Sequence, residues 1–134
     1  MVADGHPGVA QQLASLLEDT FDVVATVRDG VQLVDAAKRL RPEVIITDLS
    51  MPGLSGFQAL RQLQDAGVDS PVIFLTMHAE LETAEEALRA GACGFVLKLA
   101  AGEELIPAIQ QVLQGGVFLS AKIARGVART RPAQ

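Results

Sequence analysis

The stretch VIITDLSMPGLSG, residues 44–56, decides the fold that we expect for this chain. Its first four residues are apolar or β-branched, and they predict a buried strand over residues 44–47. Asp48 follows where that strand should end, and a loop rich in Gly and Pro leads into the next helical pattern. Open parallel sheets build their sites at the carboxyl ends of strands, so Asp48 is the first candidate functional residue.

Strand and helix patterns alternate along the rest of the chain. The predicted strands are residues 1–3, 21–27, 44–47, 71–76 and 93–97. The predicted helices are residues 8–19, 31–40, 57–66, 80–90 and 102–114, with a short last helix over 121–128 and a disordered tail over 129–134. Five βα units predict an α/β fold with a doubly wound parallel sheet in the order 2-1-3-4-5. The first strand is truncated, so this central strand should be weakly paired.

Composition limits the function classes. The chain has 134 residues, 49% of them hydrophobic, which suits one domain with a substantial core. A net charge of −5 argues against nucleic-acid binding by this domain itself. The single Cys93 excludes an internal disulfide. No apolar run reaches the ~18 residues of a membrane span and no signal-peptide pattern is visible, so we expect a cytoplasmic protein without membrane contact.

Polar residues follow four of the five predicted strands. They are Asp4, Asp48, Thr76 and Lys98, after the first, third, fourth and fifth strand. Each of them alone is an ordinary turn, strand-end or surface residue. In a sheet of order 2-1-3-4-5, however, the four positions lie at the same edge, where the strand order reverses. The sequence therefore predicts a site that combines two carboxylates, a hydroxyl group and an ammonium group.

Three segments, IITDLSMPGLSG, FLTMH and AGACGFVLK, resemble the receiver domain of two-component response regulators. The opening ADGHP and the later GGVFLS resemble the subgroup with a C-terminal helix-turn-helix output domain of the LuxR type. The resemblance implies a flavodoxin-like receiver domain over residues 1–120, with residues 121–134 as a helix and linker towards an output domain. It also implies a signalling module, not an enzyme, that a sensor histidine kinase phosphorylates to control an output such as transcription.

The same resemblance implies a role for each residue of the strand-end cluster. Asp48 corresponds to the phosphoacceptor, Thr76 to the switch hydroxyl group that binds the phosphoryl group, and Lys98 to the phosphate-pairing lysine. Phe95 corresponds to the switch aromatic residue, three positions before that lysine. Phosphorylation would change contacts with partners, including a second copy of the chain, and DNA would be bound only through the output domain.

The resemblance further implies Mg²⁺, held by Asp4, Asp48 and the backbone carbonyl of Ser50. Here the sequence departs from the family, because Gly5 occupies the position of the acid that contacts the metal directly. We expect this loss of a hard oxygen ligand to weaken Mg²⁺ binding and slow phosphorylation. Ser50 and His78 correspond to positions that tune the lifetime of the phosphoryl group.

Three questions stay open at this point. A degenerate receiver that acts as a phosphorylation-independent interaction module is an alternative, and Gly5 supports it. A flavodoxin-like enzyme or nucleotide binder is disfavoured, since neither G-x-G-x-x-G nor G-x-x-x-x-G-K-[ST] occurs. Arg125, Arg129 and Arg131 belong either to a linker or to a solvated basic tail.

His6 and His78 are expected to be solvated loop residues without metal-ligand partners nearby.

Overall fold

The structure is a computed structural model and describes residues 1–78 and 80–124. The three arginines of the C-terminal segment and the whole tail expected to be disordered, residues 129–134, lie outside the described residues. Of the predicted last helix, residues 121–124 are described, and they are helical.

A parallel sheet forms the centre of the fold. Its strands are β1 (Val2–Ala3), β2 (Thr26–Val27), β3 (Ile45–Asp48), β4 (Val72–Thr76), β5 (Gly94–Leu97) and β6 (Phe118–Leu119). The order across the sheet is β2-β1-β3-β4-β5-β6, and every neighbouring pair is parallel. The predicted order 2-1-3-4-5 and the flavodoxin-like α/β class are thereby confirmed. The sixth strand is an addition that we did not predict.

Five helices connect the strands and cover both faces of the sheet. They are α1 (Pro7–Leu17), α2 (Gly30–Leu40), α3 (Gly56–Asp65), α4 (Leu81–Ala90) and α5 (Ala101–Leu113). One apolar cluster joins a face of the sheet to α2, α3 and α4 and contains the fully buried Phe74 and Phe95. A second joins the opposite face to α1 and α5 and contains Ile73 and Leu105. Burial on both faces explains why the strands are almost continuously apolar.

The two strands on the β1 side of the sheet are short. β1 has two residues, as the truncated first strand predicted, and its pairing with β3 is extended by the Ile46 N–H, which donates to the Met1 carbonyl (2.9 Å). The prediction of a strand over residues 21–27 was too long, since only Thr26–Val27 form β2. Because β1 has only two residues, the segment just before residue 25 has no neighbouring strand to pair with.

The loop after Asp48 is held tightly against the sheet. The Gly56 N–H donates to the Leu49 carbonyl at 2.7 Å, and a Cβ at Gly56 would lie 2.8 Å from Cε1 of Phe74. Ser55 and Gln58 then form a reciprocal capping box that begins α3. The turn and the helix cap thus fix the direction in which the chain leaves the Asp48 strand end.

In the part of the chain that the structure describes, no helix has both the length and the apolar character that crossing a bilayer requires.

Candidate functional site

Strand register places the two carboxylates side by side. Ala3 pairs with Thr47, so Asp4 follows β1 at the same level at which Asp48 ends β3. Asp48 pairs with Leu75, and Thr76 pairs with Leu97, so Thr76 lies one residue and Lys98 two residues beyond the level of Asp48. The four residues predicted to share an edge are therefore together at that edge.

Lys98 links the two carboxylates. Its Nζ lies 2.8 Å from Oδ2 of Asp4 and 2.9 Å from Oδ2 of Asp48. Asp4 is fully buried, and the side chains of Asp48 and Lys98 are only 8% and 13% exposed. Lys98 begins a 3₁₀ turn directly after β5, which lets its long side chain reach back over the strand ends. Two buried like charges therefore share one cation.

This pairing sets the protonation states. Burial alone would raise the pKa of the Asp4 carboxyl, but hydrogen bonds from Lys98 and from the His6 backbone N–H hold that pKa below its ordinary value. Burial alone would lower the pKa of Lys98, but hydrogen bonds to Asp4 and Asp48 raise it above its ordinary value. The lysine is charged and Asp4 is ionised at neutral pH, which is the arrangement required for attracting an anion next to a carboxylate.

The remaining predicted residues surround this pair. Oδ1 of Asp48 accepts the Ser50 N–H at 3.2 Å, and Oγ1 of Thr76 accepts the His78 N–H at 3.2 Å. Thr76 is buried, whereas the side chain of His78 is exposed. Phe95 is fully buried and pairs with both Phe74 and Leu119 across the sheet. The structure brings the strand-end residues together, but the roles of Thr76, Ser50, His78 and Phe95 stay predictions.

His6 was interpreted incorrectly from the sequence. Its ring is exposed, as expected for a loop residue, but Nδ1 lies 3.1 Å from Oδ1 of Asp4. One ligand atom from each of Asp4, His6 and Asp48 lies within 4.8 Å of the others, so His6 does have potential metal-ligand partners nearby. The signal available in the sequence was its position two residues after Asp4. The backbone N–H of His6 donates to the same Asp4 carboxylate oxygen at 2.9 Å, and this turn also places the His6 ring beside Asp4.

A cleft opens beside Gly5, the residue expected to stand in the place of an acidic metal ligand. Gly5 and His6 line a cavity of about 430 Å³ together with Leu49, Ser50, Met51, Pro52 and Ser55. A Cβ at Gly5 would lie 3.0 Å from Cδ of Pro52, so the proline ring closely approaches the place of a side chain at this position. The backbone of Gly5 is outside the left-handed region, and the ring of Pro52 is the one tight contact that a Cβ there would meet among the described residues.

Comparison with known proteins agrees with this geometry. Residues 1–110 match the family described as response regulator receiver domain. The chain is 36% identical over 125 residues to the nitrate/nitrite response regulator protein homolog of Haemophilus influenzae, covering 92% of this chain and 60% of that protein. It is also similar to a crystal structure of a LuxR-family two-component response regulator from Aurantimonas sp. SI85-9A1, with a TM-score of 0.92 and 31% identity over 98% of this chain and 95% of the other.

A second solved structure is of the isolated receiver domain of RcsB from Salmonella enterica serovar Typhimurium with the phosphomimetic BeF₃⁻. It has a TM-score of 0.84 and 29% identity, covering 92% of this chain and 94% of that one. The fold and the strand-end site define a signalling module of the flavodoxin-like α/β class. The chain belongs to the response regulator receiver domain family. The chain spans about 60% of the length of the Haemophilus relative.

Proposed function

We propose that this receiver accepts a phosphoryl group on Asp48 from a partner histidine kinase and thereby controls an output. The observation that supports this most strongly is the Lys98 ammonium group, which lies within 2.9 Å of the acceptor carboxylate at the solvent-facing edge of the sheet. A buried carboxylate has little affinity for an anionic donor unless a fixed positive charge lies beside it. Lys98 supplies that charge, and its ion pair with Asp4 holds the ammonium group at this edge of the sheet.

The transfer is an in-line displacement at phosphorus. A carboxylate oxygen of Asp48 forms the new O–P bond while the N–P bond of the donor phosphohistidine breaks, and its electron pair returns to the imidazole. Lys98 stabilises the charge on the transferred oxygens as a point charge. The Thr76 hydroxyl group, which ends the adjacent strand, then donates to a phosphoryl oxygen. That contact exists only in the phosphorylated state and so favours a second position of its loop.

A divalent cation fits the donors of this edge in part. Asp4 and Asp48 supply hard carboxylate oxygens of the kind that Mg²⁺ prefers, and the backbone carbonyl of Ser50 would complete the protein ligands. When bound, the ion would neutralise charge on the phosphoryl oxygens. Gly5 removes one carboxylate from this set, so we expect weak Mg²⁺ binding, with solvent in the open cleft beside Gly5 and His6 providing the missing ligands.

Switching would spread from the site through two neighbouring residues. Movement of Thr76 towards Asp48 would alter the space beside Phe95, whose ring belongs to the same apolar cluster as α4. Ser50 and His78, which are exposed next to Asp48 and Thr76, would control the access of water to the acyl phosphate and hence its lifetime. In this proposal, Thr76 and Phe95 connect the phosphorylated Asp48 to the surface formed by α4, and Ser50 and His78 set how long the phosphoryl group lasts.

The consequences outside the domain follow from its family and its charge. We propose a sensor histidine kinase as the donor, a second copy of the chain as one contact altered by phosphorylation, and DNA as a target reached only through an output domain. The net charge of −5 is consistent with this division, because the receiver itself would be repelled by the phosphate backbone. We propose the cytoplasm as the place of action.

Titration with beryllofluoride in the presence of Mg²⁺ tests the proposal. Isothermal titration calorimetry of the wild-type chain should detect a Mg²⁺-dependent complex, and Asp48→Asn should abolish it. Glu43→Gln, at an exposed acidic residue before β3, is the matched control and should bind as the wild type does. If the folded wild type forms no complex at millimolar Mg²⁺, Asp48 is not a functional acceptor. A phosphorylation-independent interaction module, the reading favoured by Gly5, would then replace this proposal.

A further inference from the structure

Ser120 directly follows β6 and makes contacts that connect the site to the segment that follows. It is a polar residue with only 1% of its surface exposed, although it lies at a strand end. Its backbone N–H donates to the Phe95 carbonyl at 3.0 Å, and its Oγ accepts the Leu97 N–H at 2.9 Å. Ser120 therefore holds β5 at two points, directly before Lys98.

The hydroxyl group of Ser120 replaces a backbone acceptor that a longer β6 would provide. β6 has only two residues, so the Leu97 N–H has no backbone carbonyl of β6 opposite it. A backbone N–H that is withdrawn from water needs an acceptor, and Oγ of Ser120 provides one for Leu97. The position of Leu97, and with it the start of the Lys98 turn, thus depends on the position of this single side chain.

Glu104 connects Ser120 to the helical residues 121–124. The Ser120 hydroxyl group donates to Oε1 of Glu104, while Oε2 accepts the Ala121 N–H at 3.0 Å. The Ser120 carbonyl accepts the N–H groups of Ile123 and Ala124, both at 2.9 Å. One carboxylate in the first turn of α5 therefore holds the strand end and the helix start together.

The helix start is also packed onto the core. Ile123 is 2% exposed and lies in the apolar cluster that contains Phe95. β5 is therefore connected to residues 121–124 in two ways, by the hydrogen-bonded chain through Ser120 and Glu104 and by the apolar contacts within that cluster. Both routes begin within three residues of Lys98.

We infer that Ser120 and Glu104 are positioning residues that fix Lys98 through Leu97 and carry a change at Asp48 to the helix that begins at residue 121. The inference rests on the proposed function, since it requires that Lys98 changes its contacts when Asp48 is modified. With a phosphoryl group on Asp48, Lys98 exchanges a carboxylate oxygen for a phosphoryl oxygen further from the sheet. Leu97 then moves relative to Ser120, and the shared carboxylate of Glu104 passes the movement to Ala121.

The experiment follows backbone amide resonances of the wild-type chain by ¹H–¹⁵N NMR as Mg²⁺ and beryllofluoride are added. We expect the Ala121 and Ile123 amides to shift together with that of Lys98. In Ser120→Ala and in Glu104→Gln, the Ala121 shift should fall to less than half of the wild-type value while beryllofluoride still binds. Glu103→Gln is the matched control, because Glu103 is the exposed neighbour of Glu104 in the same helical turn.

A second variant separates this inference from the proposed function. Lys98→Met breaks the two ion pairs without any phosphoryl analogue, and it should also shift the Ala121 amide, with the shift again reduced in the Ser120→Ala background. Beryllofluoride binding without a response at Ala121, or a full response in Ser120→Ala, would overturn the inference and leave the proposed function intact. If beryllofluoride does not bind, the proposed function fails, and the response to Lys98→Met alone decides the inference.

Discussion

Gly5→Asp places a carboxylate where the resemblance to receiver domains implies a direct metal ligand, and it should increase Mg²⁺ affinity by about tenfold. At an effective dielectric constant of 20, a carboxylate about 4 Å from a divalent ion gains roughly 8 kcal/mol of gross Coulomb energy. Desolvation and repulsion from Asp4 and Asp48 oppose most of this gain. If one fifth of the Coulomb energy remains, the net gain of about 1.5 kcal/mol corresponds to about a tenfold lower dissociation constant for Mg²⁺.

The substitution also has a steric cost that can be measured separately. A Cβ at residue 5 would lie 3.0 Å from Cδ of Pro52 and 3.7 Å from the Arg28 carbonyl oxygen, so the proline ring must move by a few tenths of an ångström. Gly5→Ala measures this cost in a urea unfolding experiment, and we expect about 0–1 kcal/mol of destabilisation because Pro52 is exposed and free to shift. Without metal, Gly5→Asp should be less stable than Gly5→Ala, since a third carboxylate joins two buried ones.

Calorimetric titration with Mg²⁺ is the assay, and Gly5→Asn is the control, since it has nearly the same shape without the charge. The affinity for Mg²⁺ should rise in Gly5→Asp and not in Gly5→Asn. A dissociation constant for Gly5→Asp within twofold of those of the wild type and of Gly5→Asn would refute the reasoning that Gly5 weakens the metal site.

Three further predictions concern the stability of the same edge. Lys98→Met should lower the free energy of unfolding by about 2–4 kcal/mol because Asp4 and Asp48 lose their shared cation, and Lys38→Met on the exposed side of α2 should not. Because the pKa of Asp4 is lower in the folded than in the unfolded state, ionised Asp4 stabilises the fold above about pH 4. This contribution is lost as the pH falls through the folded-state pKa. The free energy of unfolding should therefore be lower at pH 3 than at pH 6, and Asp4→Asn should reduce the difference between the two. Gly56→Ala should cost about 1–3 kcal/mol in urea unfolding, because its Cβ would lie 2.8 Å from the ring of Phe74; a stability equal to that of the wild type would contradict the packing argument.

The sequence predicted the parts of this protein that repeat a simple pattern. Apolar β-branched runs bounded by polar strand ends identified β3, β4 and β5, and the alternation with helices identified the parallel order. Since the carboxyl ends of parallel strands meet at one edge, the proximity of Asp4, Asp48 and Lys98 followed from the order alone.

Features that depend on pairing partners or on side-chain direction could not be predicted in this way. The length of β2 is set by the two residues of β1, and β6 exists because the Phe118 and Ser120 N–H groups donate to the carbonyls of Cys93, just before β5, and Phe95. The approach of the His6 ring to Asp4 depends on a local turn that its residue type does not indicate.

The central claim, that Asp48 takes up a phosphoryl group beside Lys98, is tested most directly by mass spectrometry. The wild-type chain is incubated with acetyl phosphate and Mg²⁺, and the adduct is located by peptide mapping after reductive trapping. We expect one added phosphoryl group, located on Asp48, that depends on Mg²⁺ and is lost in Asp48→Asn. No adduct at any Mg²⁺ concentration, or an adduct elsewhere that persists in Asp48→Asn, would contradict it.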